Sequence, residues 1–129
     1  MFKPRVTAIL AAETNGQDAR HLLRSLTPLG RPVRLATTTQ DVLELLRREI
    51  FIAAVAAVEM ALDGEPMLAR LARLPSLEHL VAVGPVGEMN WRNLAYRAGA
   101  ETCLTRPVTT EALAGALGLE IPSVTERPP

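Results

Sequence analysis

The chain has 129 residues, no formal net charge at pH 7 and a composition that is 48% hydrophobic, 22% charged and 3% aromatic. This length suits one domain with an aliphatic core, and the balanced charge supplies no field that would attract nucleic acid or an acidic membrane surface. The lone cysteine, Cys103, excludes an internal disulfide, so we expect a reducing, cytoplasmic location.

The first half of the chain alternates apolar runs with segments of helical periodicity. A strand is predicted over residues 6–12, and Thr14 with Gln17 has the spacing of a capping box for the first helix. A second strand follows at Val33–Ala36, and Thr38 is the predicted N-cap of a second helix. These elements form two successive βα units.

The second half of the chain continues the same alternation. Residues 51–58 are apolar on both faces, which is typical of a central parallel strand covered by helices. Further strands are predicted over residues 79–83 and 101–104, with a helix before each; Gly99 ends the helix before the last strand. Thr109 is the predicted N-cap of a last helix.

Five βα units in so short a chain predict an α/β fold of the flavodoxin-like (βα)5 type, a doubly wound sandwich with a five-stranded parallel sheet in the order 2-1-3-4-5. We expect residues 1–120 to form this domain and the proline-rich residues 121–129 to be a disordered tail or linker. Ligands in such sheets bind beyond the carboxyl ends of the strands. The positions to inspect are therefore Glu13 and Thr14, Ala57 to Glu59, Gly84 and Pro85, and Thr105 to Pro107.

Four segments in this order resemble the receiver domain of two-component response regulators, the CheY-like family. They are residues 9–15, an aliphatic strand that runs into an acidic residue; 63–64, an Asp-Gly turn; 98–101, the end of a helix; and 104–108, a basic residue followed by proline. The resemblance covers about residues 5–118. It implies a signalling module whose chemistry is an acyl phosphate formed on an aspartate, supported by a magnesium ion.

The resemblance also implies that this chemistry has been lost. Counting from Phe51 places Ala57 at the phosphoacceptor position, whereas counting back from Gly64 places Ala56 there, and neither alanine is a nucleophile. We therefore expect no catalytic residue and no enzymatic activity.

The acidic pair that would hold magnesium is reduced to Glu13 beside Thr14. We expect no metal ligand set, weak or absent magnesium binding, and no cofactor.

Other positions depart from the family pattern as well. Gly84 stands where a threonine or serine would contact the phosphoryl group, and Cys103 stands where an aromatic switch residue is usual. Arg106 replaces the lysine before Pro107, and the bond between them is expected to be cis. An arginine fork does not simply replace an ammonium in a tight phosphate site, so pairing with Glu13 is the expected role of Arg106.

Three further residues could have carried chemistry. Glu59 shares strand parity with Ala57 and could place a fixed negative charge near the site, in imitation of an activated state. The expected role of Glu59 is that of a solvated glutamate in the loop. His21 and His79 are expected to be structural or exposed, and no hydrolase triad can be assembled.

The sequence thus predicts a degenerate receiver, or pseudoreceiver, that acts as a phosphorylation-independent protein-interaction module. Its partner would be a protein such as a sensor kinase, an output domain or a homodimer mate, and not nucleic acid or a membrane. Candidate interface residues are Trp91, Leu94, Tyr96 and Cys103, because the first three cannot all face the core at their spacing. The competing interpretation places Trp91 and Leu94 in the core and leaves Tyr96 as a lone exposed ring.

Two other functions are conceivable for this sequence. The Asn15-Gly16 turn at a helix N-terminus could hold a phosphate, as in a flavodoxin-like domain that binds a nucleotide or flavin. Glu13 would repel that anion, and the chain has few aromatic rings to hold a flavin. A working receiver that uses Asp63 fails because this residue belongs to the turn that leads into the third helix.

Overall fold

The computed structural model describes residues 5–87 and 90–122. Its strands are β1 (Arg5–Ala12), β2 (Val33–Ala36), β3 (Glu49–Ala57), β4 (Ala61–Leu62), β5 (Glu65–Pro66), β6 (His79–Gly84) and β7 (Thr102–Thr105). Its helices are α1 (Gly16–Leu26), α2 (Thr39–Arg48), α3 (Met67–Ala72), α4 (Asn90–Ala98) and α5 (Thr110–Leu117).

Five parallel strands form the central sheet, in the order β2-β1-β3-β6-β7. This is the predicted order 2-1-3-4-5, because β4 and β5 belong to a separate small sheet. β3 lies in the middle of the sheet, and Phe51 and residues 53–57 are buried, as the apolar sequence predicted, whereas Ile52 is exposed. The strand was predicted over residues 51–58, and the structure has it at Glu49–Ala57.

The sheet separates two layers of apolar core. One layer lies between the sheet and α2, α3 and α4, where Val42, Leu68 and Trp91 pack on small strand residues. The other lies between the sheet and α1 and α5, where Leu22 and Leu113 pack on valines of β3 and β6. Helices cover both faces, so the strand ends are the places where the sheet opens to solvent.

The helix N-caps follow the sequence signals with one exception. The hydroxyls of Thr38 and Thr109 accept the predicted backbone hydrogen bonds at the starts of α2 and α5. The predicted Thr14 cap is wrong by one residue: Asn15 caps α1, and its Oδ1 accepts from the N–H groups of Gln17 and Asp18 at 2.9 and 3.1 Å. Asn15 directly precedes the first helical residue, the position from which a side chain reaches these groups.

A short hairpin between β3 and α3 was not predicted. β4 and β5 pair antiparallel around Asp63 and Gly64, whose φ angles of 52° and 79° are both positive. Two central residues with positive φ characterise the tight turns that match the twist of a hairpin. The Asp-Gly turn itself was identified from the sequence, but strands of two residues leave no periodic pattern to detect.

Within residues 5–87 and 90–122, no helix is long and apolar enough to cross a membrane. Of the predicted tail at residues 121–129, the structure describes Ile121 and Pro122, and the remainder lies outside the described residues.

Candidate functional site

The carboxyl-terminal edge of the sheet brings three charged side chains together. Glu13 follows β1, Glu59 lies two residues after β3, and Arg106 follows β7. Parallel strands end at the same edge, so the loops after them converge. We call the space between these three loops the cleft.

The guanidinium of Arg106 binds two carboxylates along two of its edges. Nε and Nη2 donate to Oε2 and Oε1 of Glu13 at 3.0 and 3.1 Å. Nη1 and Nη2 donate to Oε2 and Oε1 of Glu59 at 2.9 and 2.6 Å. Asp18 of α1 adds a third carboxylate, with its Oδ2 3.6 Å from Nε. Together, Glu13, Asp18, Glu59 and Arg106 form what we call the Arg106 cluster.

The pairing of Arg106 with Glu13 was predicted. Glu59 lies in the loop with its side chain 46% exposed, as expected, but it also pairs with Arg106, which was not predicted. β3 ends at Ala57 and the chain turns back at once, with the N–H of Met60 donating to the Ala57 carbonyl at 3.2 Å. This turn brings Glu59 over the cleft and within reach of the guanidinium.

The cluster is partly buried and strongly charged. The Glu13 side chain is 2% exposed, that of Arg106 18% and that of Glu59 46%. The hydrogen bonds from Arg106 lower the pKa of Glu59, and those to Glu59 raise the pKa of Arg106 further above its usual high value. Three carboxylates around one guanidinium leave an excess of negative charge, which disfavours the approach of a phosphate.

The two alanines at the end of β3 point to opposite faces. Ala56 packs in the core layer beneath α2, α3 and α4. Side chains alternate along a strand, so Ala57 shares the face of Val55, which packs in the opposite core layer together with Val83. Glu13 and Arg106 line a cavity next to Val83. Both alanines are fully buried, and neither carries a group that can attack a phosphoryl donor.

The position of Gly84 is closed by an aromatic ring. A β-carbon on Gly84 would lie 2.5 Å from two ring atoms of Trp91, closer than real contacts allow. The indole N–H of Trp91 donates to the Pro85 carbonyl at 3.0 Å and fixes the ring in this place. A serine or threonine side chain therefore has no room at this position.

The backbone holds the remaining predicted residues in place. The N–H of Thr14 donates to Oε1 of Glu13 at 3.0 Å, so Thr14 helps to orient that carboxylate. The N–H of Arg106 donates to the Gly84 carbonyl at 2.9 Å. The peptide bond between Arg106 and Pro107 is cis, as predicted.

A cavity of about 300 Å³ adjoins the Arg106 cluster, between α1 and the loop after β7. Its walls combine apolar Val83 and Val108 with polar Asp18 and His21. This volume is at the lower limit of pockets that hold small molecules, and the carboxylates around it are unfavourable for a nucleotide phosphate. The flavodoxin-like alternative stays a prediction without a specific feature in its favour.

The histidines have structural contacts. Nε2 of His21 lies 3.0 Å from the Val108 carbonyl, and Nδ1 of His79 lies 2.8 Å from Oε1 of Glu101. Both contacts agree with the structural roles expected from the sequence.

The candidate interface residues separate into buried and exposed members. Trp91 is buried, whereas Leu94 and Tyr96 are 64% and 49% exposed. The interpretation that placed Leu94 in the core is therefore wrong. Leu94 and Tyr96 are two residues apart in α4, which places them on opposite flanks of the helix, and Tyr96 lies beside Cys103 of β7.

Cys103 was predicted as an interface residue, and the structure corrects this. It is 6% exposed, and its Sγ lies 3.9 Å from the Arg92 carbonyl of α4. It belongs to the apolar layer beneath α4, and burial raises the pKa of its thiol. A partner cannot reach this side chain without displacing α4.

The cleft does not offer the ligand set that magnesium requires. Both oxygens of Glu13 and both of Glu59 accept hydrogen bonds from Arg106. In the part of the chain that the structure describes, no group of three or more His, Cys, Asp or Glu side chains is placed to hold a metal ion. These donors therefore fit a guanidinium and do not fit a magnesium ion.

Three features of the site were not found from the sequence. Asp18 is in the first turn of α1, where acidic residues are common, so it gave no specific signal. The contact of Glu59 with Arg106 joins two loops, and that of Trp91 with Gly84 joins α4 to the end of β6. Their side-chain positions depend on the folded chain.

No protein-family model and no curated protein matches this sequence. Solved structures do match it. A receiver domain protein of Clostridium thermocellum has a TM-score of 0.73 and 19% identity, over 87% of this chain and 91% of that one. A CheY-like receiver domain protein of Methanospirillum hungatei has a TM-score of 0.70 and 17% identity, over 90% and 92%.

A third structure is longer than this chain. It is a response regulator of Burkholderia pseudomallei with a phosphorylated aspartic acid, a calcium ion and citrate, and it matches with a TM-score of 0.71 and 23% identity. The match covers 86% of this chain and 66% of that protein. Together these similarities show that the chain has the CheY-like, flavodoxin-like fold of response regulator receiver domains.

Proposed function

We propose that this protein is a degenerate receiver domain, a pseudoreceiver, which acts as a phosphorylation-independent interaction module in two-component or phosphorelay-type signalling. The observation that carries the proposal is at the end of β3. Ala56 and Ala57 occupy the strand end where this fold carries its phosphoacceptor, and both are fully buried.

The chemistry of the cleft supports loss of phosphorylation. An acyl phosphate requires a carboxylate nucleophile, and its formation in receivers requires a divalent cation. Here the fully buried Ala57 carries only a methyl group, and Arg106 donates hydrogen bonds to the carboxylate oxygens of Glu13 and Glu59. The excess negative charge of the Arg106 cluster also repels a phosphoryl donor.

A chain without this chemistry retains a receiver surface, so binding is the remaining role. The proposed partner is a protein, such as a sensor kinase, an output domain or a second copy of the chain. Two exposed side chains on α4 are candidates for the contact, but Leu94 and Tyr96 lie on opposite flanks of the helix. A flat contact on the β7 side would include Tyr96 and leave Leu94 outside.

The absence of phosphorylation can be tested directly. We expect no acyl phosphate by intact-protein mass spectrometry after incubation with acetyl phosphate and Mg²⁺. A receiver domain with an intact phosphoacceptor aspartate, treated in parallel, is the positive control. A phosphorylated aspartate in this protein, Asp63 included, would overturn the proposal.

The binding surface can be tested with two matched variants. Leu94→Ala and Tyr96→Ala each truncate one exposed side chain of α4. If the β7 side is the interface, Tyr96→Ala weakens capture of the partner by about tenfold or more, whereas Leu94→Ala leaves it within about twofold. Equal capture by both variants and the unmodified protein would move the interface away from α4.

A further inference from the structure

The Arg106 cluster has a geometry that only one kind of cation satisfies. Glu13 lies along the edge formed by Nε and Nη2, and Glu59 lies along the edge formed by Nη1 and Nη2. The four N···O distances range from 2.6 to 3.1 Å, so every one of them is short enough for a hydrogen bond between the charged groups. The carboxylates therefore fit two neighbouring edges of a planar, forked donor.

Other cations fit this arrangement poorly. Magnesium requires octahedral oxygen ligands at about 2.0–2.1 Å from the ion. Here the carboxylate oxygens lie 2.6 to 3.1 Å from the nitrogens that surround the guanidinium carbon, so they are too far apart to coordinate a small ion at its centre. An ammonium group has three donors in a tetrahedral arrangement and cannot form two parallel forks in one plane. A guanidinium has five N–H donors in a fixed plane and can form both forks at once.

We propose that the cleft is a guanidinium-binding site filled by the chain's own Arg106, which replaces a divalent cation as the positive charge that joins the loops after β1, β3 and β7. The site is the cleft of the proposed function. Only the statement that Arg106 replaces a divalent cation rests on that function. The occupancy of the site by Arg106 has its own test.

The resident guanidinium also fixes the hairpin after β3. Glu59 directly precedes Met60, whose carbonyl accepts from the N–H of Met67 at 2.8 Å and so closes the base of the β4-β5 hairpin. Through Glu59, Arg106 connects this hairpin to the end of β7. The position of the hairpin is therefore coupled to the Arg106 side chain.

Chemical rescue provides the test. Arg106→Ala removes the cation and leaves the buried Glu13 carboxylate unpaired, so the melting temperature should fall by about 10 °C. Millimolar methylguanidinium chloride should restore part of this loss in a saturable manner and return the amide NMR shifts of residues 58–66 toward those of the unmodified protein. Matched NaCl should not do so, and MgCl₂ should restore less than methylguanidinium.

Arg106→Lys is the matched variant, and it keeps the test decisive if the alanine variant fails to fold. It retains the positive charge but not the planar fork, so it should melt below the unmodified protein. A lysine variant as stable as the unmodified protein would overturn the inference. So would an alanine variant that responds to MgCl₂ as strongly as to methylguanidinium, or that shows no response specific to methylguanidinium.

These outcomes are separate from those that test the proposed function. The rescue measures which cation fits the cleft, whereas the mass measurement asks whether an acyl phosphate forms. A failed rescue with no acyl phosphate would remove the guanidinium site and leave the pseudoreceiver proposal standing.

Discussion

At the scale of single residues, Glu59 links the cleft to solution pH. Arg106 lowers the pKa of Glu59 below its ordinary value of 4.5, so the folded state favours the charged carboxylate. A lowered pKa in the folded state contributes stability that is present above pH 4.5 and is lost as the pH falls through the folded pKa. The paired glutamate is therefore a source of acid sensitivity.

Glu59→Gln should make the protein less sensitive to acid. At neutral pH we expect a loss of about 0.5–1 kcal/mol in the free energy of unfolding, because the side chain is about half exposed. Urea unfolding between neutral and acid pH measures the effect, and the two stability curves should converge below pH 4.5. Glu120→Gln, a change of an exposed residue near the opposite edge of the sheet, is the control. If the stability curve of Glu59→Gln stays parallel to that of the unmodified protein, the assignment is contradicted.

Gly84 is the second residue with a specific consequence. Gly84→Ala places a methyl group 2.5 Å from the Trp91 ring, so we expect a loss of about 1–3 kcal/mol from overpacking. Gly115→Ala is the matched control, since Gly115 lies within α5 and a methyl group there meets nothing within 4 Å. This control should gain about 0.5–1 kcal/mol from helix propensity. Thermal unfolding of both variants measures the contrast, and a neutral Gly84→Ala would show that the ring moves freely.

At the scale of elements, two neighbouring residues at the start of α1, Thr14 and Asn15, are expected to contribute differently to stability. Asn15→Ala removes the acceptor for the N–H groups of Gln17 and Asp18 and should cost about 1 kcal/mol. Thr14→Ala keeps the backbone N–H that donates to Glu13 and should cost less. Urea unfolding of the two variants distinguishes them, and a larger loss from Thr14→Ala would return the cap to the residue that the sequence suggested.

Elements with local signals were predicted well. The strand order followed from the alternation of apolar runs and helical segments, and Thr38 and Thr109 were identified as caps because their hydroxyls act within three residues. The cis bond before Pro107 came from the resemblance, at a residue type where cis bonds occur. The caps are thus determined by a few neighbouring residues, whereas the strand order needed the pattern of the whole chain and the cis bond needed the resemblance.

Features that depend on distant residues were predicted in part or missed. The pairing of Arg106 with Glu13 could be anticipated, because parallel strands end at one edge of the sheet. The position of Glu59 depends on where β3 ends and how the chain turns afterwards. The packing of Trp91 on Gly84 depends on how α4 rests on β6, which the helical pattern does not determine.

At the scale of the whole molecule, the two core layers share one sheet. Trp91 reports on the layer beneath α2, α3 and α4, whereas Leu113 is fully buried in the layer beneath α1 and α5. A sheet covered on both faces is expected to unfold as one cooperative unit. Damage to one layer should therefore be detected by a probe in the other.

Leu113→Ala tests this cooperativity. The substitution should cost about 3 kcal/mol, and the midpoint seen by Trp91 fluorescence should shift together with that seen by far-ultraviolet circular dichroism. Leu94→Ala, at an exposed position, should change stability by less than about 0.5 kcal/mol. Separate midpoints for the two probes in Leu113→Ala would show that the layers unfold independently.

The contact between Trp91 and Gly84 couples two positions of the sequence. A serine or threonine at position 84 would place a β-carbon against the indole ring, so that substitution alone should destabilise the protein. A smaller residue at position 91 would open the space but lose the hydrogen bond to the Pro85 carbonyl. A larger residue at position 84 is therefore expected only together with a smaller one at position 91.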